Sequence, residues 1–225
     1  MALVVKTPCL SPSLLACTPF HIREGMKGAE SIGAPLIHID VMDGKFVKNE
    51  SFGVDFVKDV HDKHNMLNDT HIMIEKPWEM VDDFIKAGSD IITFHIEACP
   101  SEKEVRETIR KIREGGAYVG LSIKPHTSTN ALLPYINDVD MVLVMCVEPG
   151  WGGQKFIPET YERIREVKSM IKSSGSKALL QVDGGINDIT GPESIKAGAD
   201  ILVTGTYLFG AETPEIRAAR ILKSK

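Results

Sequence analysis

The sequence predicts a single α/β domain of the (β/α)8, or TIM-barrel, class spanning residues 1–225, and three observations carry that expectation. Short apolar runs rich in β-branched residues alternate with helix-period segments from one end of the chain to the other, the pattern of a parallel sheet wrapped by helices. Eight such runs fit into 225 residues, close to the size of an eightfold barrel and more strands than a doubly wound open sheet usually carries. A short repeat, Ile32-Gly33-Ala34-Pro35, Ala87-Gly88-Ser89-Asp90 and Ala197-Gly198-Ala199-Asp200, stands just before apolar runs, with each glycine suited to ending a helix.

In chain order the predicted strands are Leu10 to Ala16, Leu36 to Val41, Asp69 to Ile74, Ile91 to His95, Tyr118 to Ile123, Met141 to Val147, Ala178 to Val182 and Ile201 to Thr204. The clearest helices are Thr18 to Ser31, Val54 to Lys63, Trp78 to Ala87, Glu102 to Glu114, Pro158 to Ser173 and Thr213 to Lys223. Two carry start signals: Thr18 precedes Pro19, and Ser101 lies three residues before Glu104.

Composition excludes several function classes. The chain is 43% hydrophobic and 25% charged with a net charge of -5, and has no basic stripe for nucleic acid or an anionic membrane. Its longest apolar run, Met141 to Val147, is far short of the roughly 20 residues of a membrane helix. Only Lys6 is charged among the first twenty residues, and Pro8, Ser11, Pro12 and Ser13 interrupt any signal-like stretch, so no targeting segment is expected. Cys9, Cys17, Cys99 and Cys146 show no metal or disulfide spacing, which fits a cytoplasmic protein.

In a barrel of this class the site lies where strands end, so polar residues at those ends are the candidates. The second strand reads Ile37-His38-Ile39-Asp40-Val41-Met42-Asp43-Gly44, and His38 and Asp40, two apart, share a face. The third strand adds His71, and the seventh ends in Asp183. Two histidines and two aspartates from three strands form a nitrogen and oxygen set suited to zinc, iron(II), manganese or cobalt, and a shared cation would offset the cost of burying them. Met42, Met73 and Met145 stand beside these positions as candidate substrate contacts. Asp43, before Gly44, reads as a turn residue. His95 and Glu97 form a further same-face pair, read as supporting or structural; His21, His61, His64 and His126 read as helix or loop surface residues.

Glycine-rich loops follow the last three strands: Glu148-Pro149-Gly150-Trp151-Gly152-Gly153-Gln154, then Asp183-Gly184-Gly185, then Thr204-Gly205-Thr206. Unshielded backbone amides there can approach a phosphate. The first of these loops, with Trp151 at an apolar tip among glycines, suits a lid.

Together with Ser11-Pro12-Ser13, His71-Ile72-Met73 and Lys155-Phe156, these strings resemble the ribulose-phosphate 3-epimerase family, metal-dependent (β/α)8 barrels of the pentose phosphate pathway, along nearly the whole chain. The resemblance implies a divalent ion, Zn2+ first among the candidates, held by His38, Asp40, His71 and Asp183, with Asp40 and Asp183 as acid and base. It implies substrate and phosphate contacts at Ser13, His71, Gly150 to Gly153, Asp183 to Gly185, Gly205 and Thr206, a sugar phosphate as ligand, and a homo-oligomer, dimer or hexamer. The expected reaction moves the C3 proton between D-ribulose 5-phosphate and D-xylulose 5-phosphate. A proton next to a ketone is weakly acidic, so it needs a base and a stabilised enediolate, and inversion needs a second acid on the opposite face. Cys17-Thr18-Pro19, Lys45, Lys48, His126 and Thr206-Tyr207 depart from the family pattern. The Ser11 to Cys17 stretch and Gly205-Thr206 are also similar to the allulose-6-phosphate 3-epimerase branch, so a hexulose phosphate is the alternative substrate. A barrel that binds sugar phosphate without turnover is the alternative of another class.

Overall fold

The structure, a computed structural model, describes residues 3–17, 21–210 and 212–223. Eight parallel strands form one sheet: β1 (Cys9–Pro12), β2 (Leu36–Met42), β3 (Leu67–Met73), β4 (Ile91–His95), β5 (Tyr118–Ile123), β6 (Met141–Met145), β7 (Leu179–Asp183) and β8 (Ile201–Thr204). Their order, β1-β8-β7-β6-β5-β4-β3-β2, leaves β1 and β2 as the last neighbours, and a parallel bridge from Ser13 to His38 joins them. The predicted barrel is what forms.

Seven α-helices cover the outside among the described residues: α1 (Ile22–Ser31), α2 (Val54–His61), α3 (Pro77–Lys86), α4 (Glu102–Glu114), α5 (Thr160–Ser173), α6 (Thr190–Ala197) and α7 (Pro214–Ile221). Ser101 caps α4 by accepting from Lys103 N at 3.2 Å, as its spacing before Glu104 predicts. The Thr18–Pro19 start signal lies outside the described residues, and α1 is seen from Ile22. One helix was illegible in the sequence: α6 carries Gly191 and Pro192, poor helix formers, but Pro192 sits in the first turn, where its missing N–H has no partner to lose. Between β5 and β6 a 3-10 turn, Thr129–Leu132, replaces an α-helix, and Pro134 prevents its extension. The first predicted strand also ends early, because Ser13 turns the chain into a 3-10 helix over Leu14–Ala16.

Side chains alternate across each strand, so alternate positions stack inside the barrel in layers. The floor is apolar: Cys9, Leu36, Ile91, Met141 and Ile201 meet there, with Leu3 packed beneath. Above it lie Ser11, His38, Asp69 and Gln181, all fully buried. The upper layer, at the carboxyl ends of the strands, contains Ser13, Asp40, His71, His95, Met145 and Asp183. Outward-facing residues such as Ile37, Ile72, Phe94 and Leu180 join helix residues such as Phe84 and Ile112 in the main core.

Candidate active site

Register fixes the upper layer. Asp40 lies beside His71 and Met42 beside Met73 across β2 and β3, and Met145 lies beside Asp183 across β6 and β7. His38, Asp40, His71 and Asp183 each offer a ligand atom within 4.8 Å of the others, so the four residues singled out in the sequence come together. His38 Nε2 stands 3.4 Å from Asp40 Oδ1, and His71 Nδ1 stands 3.3 Å from the same oxygen. Ser13 Oγ donates to Asp40 Oδ2 at 2.7 Å.

A third aspartate, overlooked in the sequence, supports this cluster from below. Asp69 Oδ2 accepts from His38 Nδ1 at 2.8 Å, Ser11 Oγ at 2.8 Å and Gln181 Nε2 at 2.5 Å. The bond to Nδ1 fixes the His38 ring and directs Nε2 upward, where that buried atom makes no hydrogen bond among the described residues. Asp69 lies two residues before His71 on the same face, and that spacing was the available signal.

The electrostatics of the layer are uneven. Burial would lower the His38 pKa, but Asp69 and then Asp40 outweigh it and hold it well above the usual histidine range. Burial also opposes ionisation of Asp40, yet His38 and the bond from His71 hold its carboxyl well below the usual range. Asp183 has no such bond among the described residues; burial and the charge of Asp40 outweigh the pull of His38 and His71 and push it up to about 6. A buried Nε2 without a bond and two carboxylates in mutual repulsion are a donor set suited to a divalent cation of the zinc, iron, manganese or cobalt type.

Above the layer opens a cavity of about 1050 Å³. Ser13, Asp40, Met42, Met73, Met145, Gly150, Trp151, Gly152, Gly153, Asp183, Gly184, Gly185, Gly205 and Thr206 all line it, whereas His38 and His71 lie fully buried beneath. Gly184 and Gly185 are required by the fold here: both have positive φ, 113° and 66°. A Cβ on Gly184 would meet Val147 at 2.4 Å, and one on Gly185 would meet Phe156 N at 2.5 Å. The loop after β6 arches over the opening, with Gln154 Nε2 donating to the carbonyls of Glu148 at 2.6 Å and Trp151 at 2.9 Å. Asn49, another residue the sequence did not reveal, ties the loop after β2 to it by donating to Gly150 O at 3.0 Å. Trp151 is 61% exposed at the tip.

Of the remaining candidates, His21, His61 and His126 are exposed as read, whereas His64 is half-buried with its Nε2 enclosed. Asp43 is a turn residue: its Oδ1 accepts from Lys45 N and Phe46 N at 2.9 Å each, and its Oδ2 accepts from Glu75 N at 2.8 Å. His95 supports the cluster from the side, 2.8 Å from His71 between the two Nε2 atoms. Tyr207 lines the cavity, and the Arg217 guanidinium lies 4.8 Å over its ring. No described helix is long and apolar enough to cross a membrane.

Residues 9–209 match the Ribulose-phosphate 3 epimerase family. The chain is 41% identical to the ribulose-phosphate 3-epimerase of Bacillus subtilis, covering 96% of this chain and 99% of that protein. It is 37% identical to the ribulose-phosphate 3-epimerase of Chlamydia muridarum, covering 95% and 93%. In structure it is similar to the 3-hexulose-6-phosphate synthase of Salmonella typhimurium, with a TM-score of 0.66 at 21% identity over 95% of this chain and 96% of that one. It is also similar to the tryptophan synthase α-subunit of Pyrococcus furiosus, with a TM-score of 0.69 at 14% identity over 98% and 99%. Those two likenesses concern the barrel fold alone.

Proposed function

This chain belongs to the ribulose-phosphate 3-epimerase family and is an isomerase acting on carbohydrates, and we propose that it interconverts D-ribulose 5-phosphate and D-xylulose 5-phosphate by proton transfer at C3, with Asp40 and Asp183 as the base and acid on opposite faces. The observation that carries this reading is the pair of carboxylates, from β2 and β7, which share one buried cluster beneath a glycine-lined cavity. Their environments push them apart: Asp40 is held ionised while Asp183 is raised to about 6. Such a split suits one group to take a proton and the other to give one. Ser13 orients Asp40 through its 2.7 Å bond. Met42, Met73 and Met145 line the reacting end with polarisable thioethers that offer no competing proton. Backbone amides of Gly152, Gly153, Gly184, Gly185, Gly205 and Thr206 form the phosphate end, and the loop bearing Trp151 excludes water.

His38, Asp40, His71 and Asp183 would hold one divalent cation, Zn2+ being our first candidate. When bound, it supplies Lewis-acid stabilisation of the negative charge that develops on the sugar oxygens. The same reading makes the protein a cytoplasmic enzyme of the pentose phosphate pathway and a homo-oligomer.

Proton exchange followed by NMR in deuterated water tests it, with the zinc-loaded protein and a chelated control. Expected is deuterium incorporation at C3 of ribulose 5-phosphate, with xylulose 5-phosphate appearing, and neither in the control. Faster exchange on allulose 6-phosphate would reassign the substrate to the hexulose. Binding of both sugar phosphates without exchange on either would make the chain a binding protein.

A further inference from the structure

The two buried histidines of the cluster are held in different ways. His38 gives its Nδ1–H directly to a carboxylate, Asp69. His71 instead meets a second histidine: its Nε2 lies 2.8 Å from Nε2 of His95, and both rings are fully buried. Two donors cannot face each other at that distance, so one of these nitrogens must lack its proton.

Glu97 decides which. Its Oε1 accepts from Lys124 N at 2.7 Å and also from Thr127 Oγ1, and its Oε2 lies 3.3 Å from His95 Nδ1. Those donors and His95 hold Glu97 down at about 2, against the opposing effect of burial. A carboxylate only accepts, so His95 carries its proton on Nδ1 and presents a bare Nε2. His71 must then carry a proton on Nε2, so Nδ1, the nitrogen facing Asp40 at 3.3 Å, is the one free to shed its proton and present a lone pair to a cation. The ring of Phe46 packs on His95 with centroids 5.0 Å apart, and Lys124 Nζ lies 3.9 Å from the centre of the Phe46 ring, so the relay is clamped from outside.

We propose that His95 and Glu97 are positioning residues that set the tautomer of His71, so that Nδ1 is the atom offered to a divalent cation. The inference rests on the reading of this cluster as a cation site and adds the device that aims one ligand. Groups that orient a metal-binding histidine typically change cation affinity by roughly 10–100-fold when replaced, and this chain transmits the orienting charge through a second imidazole.

Glu97→Gln tests the relay. The amide oxygen remains where Lys124 N–H and Thr127 O–H point, so the amide NH2 faces His95 Nδ1 and turns it into an acceptor. The His95 proton moves to Nε2 and confronts the Nε2–H of His71. In two-bond 1H–15N spectra, His95 is expected protonated on Nδ1 in the wild type and on Nε2 in the variant. Zn2+ affinity, read by competition with a chromophoric chelator, is expected to fall roughly 10–100-fold. A merely structural Glu97 would lower the melting temperature without inverting the tautomer. Wild-type tautomer and affinity in E97Q overturn the inference while leaving the cation site intact. Should E97Q not fold, the wild-type spectrum decides alone, since His95 protonated on Nε2 is incompatible with the relay. A wild-type protein that binds no Zn2+ overturns the cation reading beneath it, and this inference with it.

Discussion

The two ends of the barrel interior are built from the same eight strands with opposite chemistry. At the floor, Cys9, Leu36, Ile91, Met141 and Ile201 close over Leu3, and every gain there comes from removing apolar surface from water. Two strand positions higher, Asp69 is buried but receives three donors. One further step up, the Asp40 and Asp183 carboxylates oppose each other and His38 Nε2 makes no hydrogen bond among the described residues. Burial alone therefore does not mark function. What marks it is the convergence of two opposed carboxylates and a bond-free imidazole nitrogen beside the cavity, where a bound cation would offset their desolvation and repulsion.

If that contrast holds, the two ends should separate activity from stability. Asp40→Asn and Asp183→Asn keep the side-chain shape and remove the proton-carrying group, so kcat should fall roughly 10²–10⁴-fold with the circular dichroism spectrum and thermal midpoint nearly unchanged. Near-normal turnover in either variant would remove that aspartate from the chemistry. At the floor, Leu36→Ala leaves a cavity and should cost about 2–5 kcal/mol of stability, measured by urea unfolding. The surviving folded enzyme should keep its kcat/KM, and a loss of activity per folded molecule would show that the floor reaches the mouth.

The sequence discloses this division unevenly. His38, Asp40, His71 and Asp183 were legible because strand periodicity places i and i+2 on one face and because charged groups are rare inside barrels. The support of His38 was harder to see. Asp69 finds Ser11 58 residues away and Gln181 112 residues away, contacts that exist only once the barrel closes. The Asn49 bond to Gly150 spans 101 residues and is hidden for the same reason. His95 and Glu97 were visible as a pair, but their role depends on which nitrogen of His71 they touch. The helix α6 was obscured by propensity, since Gly191 and Pro192 weaken the local signal while tertiary packing of Ser194 and Ala197 restores it.

Within the mouth, the phosphate end offers a finer cut of the same contrast. Gly185→Ala would place a Cβ 2.5 Å from Phe156 N at φ 66°, so the loop must shift. Gly152→Ala meets nothing within 4 Å. The first should raise KM for the phosphorylated sugar by roughly 10-fold or more, a cost near 1.4 kcal/mol, and the second should change it little. Equal effects in steady-state kinetics would mean that loop shape after β7 does not hold the phosphate.

The smallest expected effect is a difference in titration between the ends. Burial, then Asp69 and Asp200, push the Cys9 thiol at the floor up to about 12, so it remains protonated across the physiological range. Asp183 at the mouth is pushed up to about 6 by burial and by Asp40, so it gains a proton as the pH falls through that value. A protonated carboxyl is a poor ligand, and a cation must displace that proton to bind. Co2+ affinity should therefore be steady at pH 7 and above with respect to this group, and weaken about fivefold between pH 6 and pH 5. Calorimetry in two buffers of different ionisation enthalpy should show proton release on binding near pH 5. In Asp183→Asn, that component of the pH dependence should vanish even though cobalt binds more weakly throughout; if it persists, another group at the mouth carries the proton.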